Sequence, residues 1–266
     1  MQRDATSSHA EGGHSAGRLE AWVHASHRVR IAGRAYHPYF LATDLGTVAI
    51  AAFSAWFCAW RTELSFPAFL AAFLVMQASY FAVRALRARY LGMTSRSFLQ
   101  DSVLVILPAF AIASVGLGND ILASLDLAAL DLALGATFIR VGCFLGGCCY
   151  GRVARWGVAY PSRLLVPVRG CRTYTPGEMP AGRVIPIQLF ESAFNACAFV
   201  ALLAWSREGA PSGHLLPGYL GAYGLWRLVS DFWRASSARP RRMGLSEAQW
   251  ASLVVVVVAG VVLMRP

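Results

Sequence analysis

Arg140 stands near the end of a long apolar run and is followed closely by Gly142, Cys143, Gly146, Gly147, Cys148, Cys149 and Gly151. An arginine at membrane depth costs roughly 3 kcal/mol or more, so it normally faces a cavity or a partner. Glycine lets backbone approach a ligand or a neighbouring helix closely. A guanidinium beside a tight glycine elbow has the chemistry of a site for an anionic lipid head group. Arg227 is a second arginine within an apolar run. Together the two could fork onto one phosphate through charge-assisted hydrogen bonds. The competing arrangement is an interhelical or local ion pair, such as Arg227 with Asp231 one turn on.

Gln188 and Glu191 open another apolar run, and their spacing of three puts both on one helix face. Glu191 suits a base, an arginine partner or a helix N-terminal charge. Cys143, Cys148 and Cys149, with Cys171 as a fourth ligand, could hold a metal, but the spacing lacks paired C-x2-C knuckles. Adjacent cysteines also converge poorly on one ion. The expectation is therefore small-residue packing in a tight turn, with a disulfide from Cys171 as an alternative if that loop is exported. No metal or diffusible cofactor is expected. Five of the six histidines fall at or before position 37, and no H-E-x-x-H, serine-elbow or P-loop pattern is present.

The elements that must position these groups are apolar helices. Hydrophobic residues make up 56% of the 266, only 14% are charged, and mean hydropathy is +0.49, which excludes an ordinary soluble domain. Spans need about 20 apolar residues. Seven candidates follow, at about 42–60, 65–83, 99–117, 120–142, 186–205, 214–233 and 246–264. Asp101 and Pro108 weaken the third, and Asp126 and Asp131 interrupt the fourth. The expected fold is all-α, a polytopic membrane protein of about seven transmembrane helices. Residues 1–36 form a polar leader, flexible or lying on the surface. Residues 37–266 form the membrane domain, with a polar head segment at 143–184 between spans four and five.

All 24 basic residues are arginine, and the net charge is +10. They cluster beside apolar spans, so anionic phospholipid is the expected partner. No nucleic-acid motif competes. The leader, the 84–98 and 234–245 loops and the head segment share one face, which holds 19 of the arginines. The positive-inside rule alone would place that face in the cytoplasm.

Three blocks resemble the prolipoprotein diacylglyceryl transferase family. Gly135 to Arg152 is similar to a signature of arginine, then Gly-Asn-Phe, Asn-Gly-Glu and a later glycine; Arg140, Gly142 and Phe144 match. Ile185-Pro186-Ile187-Gln188-Leu189-Phe190-Glu191 resembles His-Pro-Thr/Ser-Gln-Leu-Tyr-Glu. Tyr223-Gly224-Leu225-Trp226-Arg227, with Asp231 and Arg234, resembles Tyr-Gly-x-x-Arg followed by an acid and a second arginine. Leu245 to Leu253 resembles the family's Leu-Ser-x-x-Gln-x-x-Ser. The likeness runs over about 125–266. It departs at Cys143, where the family has asparagine, at Cys148, where it has glutamate, and at Ile185, where it has histidine. No histidine-glycine-glycine loop follows span two, so the family's catalytic histidine has no match.

The resemblance implies transfer of a diacylglyceryl group from phosphatidylglycerol to the cysteine thiol of a lipoprotein precursor, in the bacterial inner membrane. It also implies an outward-facing head segment, against the charge bias. Arg140, Arg227 and Glu191 are the expected catalytic residues. Gly142, Cys143, Gly146, Gly147, Cys148, Gln188, Tyr223, Asp231 and Arg234 are the expected substrate-binding set. Two other readings remain open: a related phospholipid-using transferase with another acceptor, and a non-catalytic protein that binds anionic lipid.

Overall fold

The computed structural model describes residues 20–23, 30–31, 33–35, 37–91, 105, 107–160, 182–234 and 241–264. Most of the leader, the beginning of expected span three with Asp101, and the middle of the head segment with Cys171 lie outside them. The described chain is mostly helical: α1 Pro38–Trp60, α2 Phe66–Leu91, α3 Leu107–Gly116, α4 Ile121–Leu145, α5 Ile187–Arg207, α6 Leu215–Ser230 and α7 Glu247–Leu263. Each falls within or over one of the expected apolar segments. Four are long and apolar enough to cross a membrane: α1, the Phe66–Val83 part of α2, α4 and α5. At 1.5 Å per residue the 10-residue α3 and the 16-residue α6 fall short of a hydrocarbon core about 30 Å thick.

Helix starts are legible in the chemistry of their caps. His37 Nδ1 accepts from Tyr39 N at 3.2 Å, and Pro38 occupies the first turn of α1. Asp120 accepts from Ala123 N at 2.8 Å to cap α4. Ser246 and Gln249 exchange hydrogen bonds in a capping box at α7. Gln249 Nε2 then donates to Leu228 O at 3.0 Å and ties α7 to α6.

The central helix is α4. Half of its apolar window is buried, against 11% for α2, so α4 carries the packing and α2 is peripheral. Among apolar tails there is little hydrophobic gain from helix association, so close packing has to hold the helices together. Between α1 and α4 it comes from small-against-large pairs. A Cβ at Gly46 would meet Phe138 Cβ at 2.6 Å, and one at Gly135 would meet Ile50 Cδ1 at 2.9 Å. Residues such as Val48, Leu74, Ile112, Val200 and Val257 remain exposed on the outside of the helices.

The two acids that interrupt α4 both find partners. Asp126 accepts from Gly213 N at 2.8 Å and Leu215 N at 2.9 Å, which holds the α5–α6 turn. Asp131 accepts from Ser54 Oγ at 2.8 Å.

Beyond α4 the chain makes β3, Val153–Val158, alongside two short antiparallel pairs, β1 Arg30–Ile31 with β2 Arg34–Ala35 and β4 Arg241–Arg242 with β5 Leu245–Ser246. A small second core joins Phe144, Leu145, Tyr150, Val158, Tyr160 and Val184. Leader residues 20–23 lie against it: Val23 is buried there, and Glu20 Oε1 accepts from Ala159 N at 3.0 Å. Tyr160 OH donates to Phe144 O at 3.0 Å. Burial pushes the Tyr160 phenol up, so it holds its proton for that bond.

Candidate functional site

Glu191 is the hub. It sits on the first turns of α5, fully buried. Its Oε2 lies 2.8 Å from Arg140 Nε, close enough for an ion pair although the N–H is not aligned for a hydrogen bond. Its Oε1 accepts from Arg227 Nη1 at 3.4 Å and from Arg234 Nη2. Arg227 Nη2 lies 3.3 Å from Asp231 Oδ1, the local pair expected from the i,i+4 spacing. Among the described residues three guanidinium groups thus meet two carboxylates, one more cation than anion. The Arg140 side chain remains 21% exposed and that of Arg227 12%, so these two cations are reachable while Glu191 is not.

Backbone positions these groups. Gly151 N donates to Ile185 O at 2.8 Å, Arg152 N to Trp233 O at 2.8 Å, and Ile185 N to Arg152 O at 3.1 Å. Three segments of chain, after α4, before α5 and after α6, are therefore laced together under the ion cluster. The lacing needs glycine at 151: a Cβ there would lie 2.6 Å from Trp233 O. Gln188 Nε2 donates to Cys148 O at 2.7 Å, so the residue three before Glu191 on the same face holds the elbow. Asn195 Nδ2 donates to Glu191 O at 2.6 Å, and Asn195 Oδ1 accepts from Tyr219 OH at 2.8 Å, a support the sequence reading did not single out. An asparagine and a tyrosine on separate apolar helices carry no spacing signal.

The elbow is a Schellman motif. Cys148 N donates to Cys143 O at 3.0 Å and Gly147 N to Phe144 O at 3.2 Å, with Gly147 at φ +67°. Gly142 and Gly146 serve packing: a Cβ at Gly142 would lie 3.0 Å from Tyr39 O, and one at Gly146 would lie 3.4 Å from His37 Cε1. His37, given no role from the sequence, therefore lies against the elbow. Tyr223 stacks on Tyr219 and interacts electrostatically with Arg140.

The three elbow cysteines converge. The sulphurs of Cys143, Cys148 and Cys149 all lie within 4.8 Å of one another. Extended backbone would send adjacent side chains to opposite sides. Cys149 instead adopts φ +59°, a left-handed conformation that costs a non-glycine residue about 1–2 kcal/mol. That turn brings both neighbouring thiols to Cys143 and removes the geometric objection raised by their adjacency.

The profile of the prolipoprotein diacylglyceryl transferase family matches residues 101–265, well over half of the chain. This chain belongs to the prolipoprotein diacylglyceryl transferase family. Similar proteins named phosphatidylglycerol–prolipoprotein diacylglyceryl transferase occur in several bacteria. The one from Clostridium tetani is 32% identical over 139 residues, covering 52% of this chain and 51% of that protein. One from Dehalococcoides mccartyi is 31% identical over 136 residues, covering 51% and 48%. One from Neisseria meningitidis is 27% identical over 164 residues, covering 56% of each. The chain spans about half the length of these curated relatives. The family match contains the whole Arg140–Glu191–Arg227–Arg234 cluster; His37 lies outside it.

Proposed function

We propose that the chain transfers a diacylglyceryl group from phosphatidylglycerol to the cysteine thiol of a lipoprotein precursor. The observation that carries this reading is the buried carboxylate of Glu191 clamping three arginines, two of which, Arg140 and Arg227, keep an accessible edge. Arg140 engages Glu191 through Nε, which leaves its Nη groups to fork onto a phosphate oxygen pair. Arg227, oriented by Asp231, approaches from α6. In the transfer, the acceptor sulphur forms a bond to the terminal glyceryl carbon. The bond from that carbon to the phosphate oxygen breaks, and glycerol phosphate leaves with the electron pair. The thiol proton passes to solvent. Positive charge placed where the phosphate departs lowers the barrier. The same charge favours the thiolate.

In this reading Gln188, Tyr223 and Arg234 help bind the substrate beside the ion cluster, and Gly142, Gly146 and Gly147 set the neighbouring elbow. In our reading α3, α6 and α7 complete a seven-span bundle in the inner membrane. The 143–184 head segment stands between spans four and five on the outer side, where precursors present their cysteines.

The test is a mass shift. Purified protein, phosphatidylglycerol and a peptide carrying a lipoprotein-type cysteine should give a diacylglyceryl adduct and free glycerol phosphate. Glycerol phosphate release without peptide modification would favour the second reading, a phospholipid-using transferase with another acceptor. That reading is motivated by the sequence Gly92 to Gln100, which lacks the family's histidine. Lipid binding with no release at all would reduce the protein to a non-catalytic binder of anionic lipid.

A further inference from the structure

We propose that Cys143, Cys148 and Cys149 form a zinc site at the elbow, with three thiolate ligands and a fourth position open to the substrate side. The sulphurs lie within 4.8 Å of one another. Zinc–sulphur bonds of about 2.3 Å would put three thiolates roughly 3.8 Å apart in a tetrahedron. Closing onto the ion therefore needs a contraction of no more than about 1 Å, within the reach of side-chain rotation. None of the three is in a disulfide.

The ligands are held from outside the cluster. Cys143 lies on the last turn of α4, and the Schellman bond from Cys148 N fixes the next ligand against it. Gln188 grips the Cys148 carbonyl from α5. Cys149 keeps a left-handed backbone that glycine would adopt without strain, and strain retained at a non-glycine residue points to a use for its side chain. Cysteines that merely filled a tight turn would not require it.

Charge also fits. Zinc with three thiolates carries one negative charge, and the Arg140 guanidinium interacts with both Cys143 and Cys149. Three protein ligands with one open position is the pattern of a working zinc, whereas a purely structural zinc closes all four. Cys143 and Cys148 are buried and Cys149 is half-buried, so the open position faces the side on which Cys149 is reached.

The role of the site rests on the transfer reading above. The fourth ligand is then the acceptor sulphur. Coordination displaces the thiol proton to solvent, the sulphur attacks the glyceryl carbon, and glycerol phosphate departs toward Arg140 and Arg227. The metal would thereby supply the activated thiolate in a chain that has no counterpart of the family's histidine.

Two measurements separate the site from its role. The purified full chain, stripped of metal and titrated with Co2+, should develop thiolate-to-cobalt charge-transfer absorption and tetrahedral visible bands, saturating at about one equivalent. Zn2+ should bleach them. Serine at 143, 148 or 149 should each weaken Zn2+ binding by more than the roughly 10–100-fold that loss of an outer-shell partner costs. Cys197→Ser, on the exposed side of α5, should leave the titration unchanged. No thiolate–cobalt bands in the wild-type protein would overturn the site, whether or not the serine variants fold. For the role, chelation should abolish peptide modification and Zn2+ should restore it. Full transfer by metal-stripped protein would overturn the role while the spectra still stand. Thiolate–cobalt spectra from a protein that never modifies any peptide would uphold the site and fail the transfer reading instead.

Discussion

The two ends of α4 both carry ionisable side chains inside an apolar helix, and they treat them in opposite ways. At the end nearer its start, Asp126 is taken up by two backbone N–H groups of the α5–α6 turn and Asp131 by the Ser54 hydroxyl. Each acid is matched locally by neutral donors. At the far end, Arg140 enters a cluster with Glu191, Arg227, Asp231 and Arg234 in which, among the described residues, cations outnumber anions by one. The first arrangement joins helices. The second gathers three cations on two anions among the described residues, and in the proposed reading an anion arrives there. In that reading the balance of the local cluster, rather than burial alone, separates structural from functional charges.

Breaking the far end should have the largest effect. Glu191→Gln removes the anion that holds three guanidinium groups together and leaves buried positive charges opposing one another. We expect transfer activity to fall by at least about 1,000-fold, with lower detergent-solubilised stability, since breaking a buried charge cluster costs on the order of 3–5 kcal/mol. Peptide mass shift and thermal unfolding measure the two effects separately. Activity near wild type would remove the cluster from the site.

Arg140→Ala and Arg227→Ala come next, with losses of roughly 100–1,000-fold in turnover at preserved membrane insertion. Lysine should not restore either, because it cannot fork onto two phosphate oxygens. Rescue by lysine at both positions would reduce their contribution to simple point charge.

The opposite end should respond in stability rather than rate. Ser54→Ala leaves Asp131 without its donor, and we expect a loss of about 1–3 kcal/mol in unfolding free energy. Turnover per folded molecule should change less than about threefold. A large fall in turnover would mean that the two ends are coupled through α4 and would erase the contrast drawn here.

The smallest effect should come from His37→Ala. It removes the side-chain cap of α1, worth about 0.5–2 kcal/mol. A loss of activity far beyond that loss of stability would bring the histidine beside Gly146 into the chemistry.

Much of the fold and part of the site are legible in the sequence, and the gaps have physical causes. Seven of the described helices fall where apolar runs predicted them, because hydropathy and cap residues are local properties. Gln188 and Glu191 on one face, and Arg227 with Asp231, followed from helical spacing. The partners of Glu191 did not. Arg140 and Arg234 lie far from it in sequence, and nothing local distinguishes an arginine partner from a helix N-terminal charge. Asp126 and Asp131 read as defects in a span because hydropathy is blind to a hydroxyl or a backbone N–H supplied by another segment. Cys148 and Cys149 read as a poor ligand pair because a sequence does not display the sign of φ at Cys149. Arg234 entered only through resemblance, and Asn195 and Tyr219 not at all.

The lacing of Arg152 N to Trp233 O has a consequence for how the molecule is made. Translation delivers α4 with its arginine long before α5 brings the carboxylate, and longer still before the turn after α6 closes the lattice. For that interval the nascent chain holds an uncompensated cation at the rim of an apolar helix. Long-range pairing of this kind closes late, and partly assembled chains are exposed to aggregation and quality control. Ribosome-released fragments ending between α4 and α5 should therefore be short-lived in the cell, and fragments extending through Arg234 should be the first to persist.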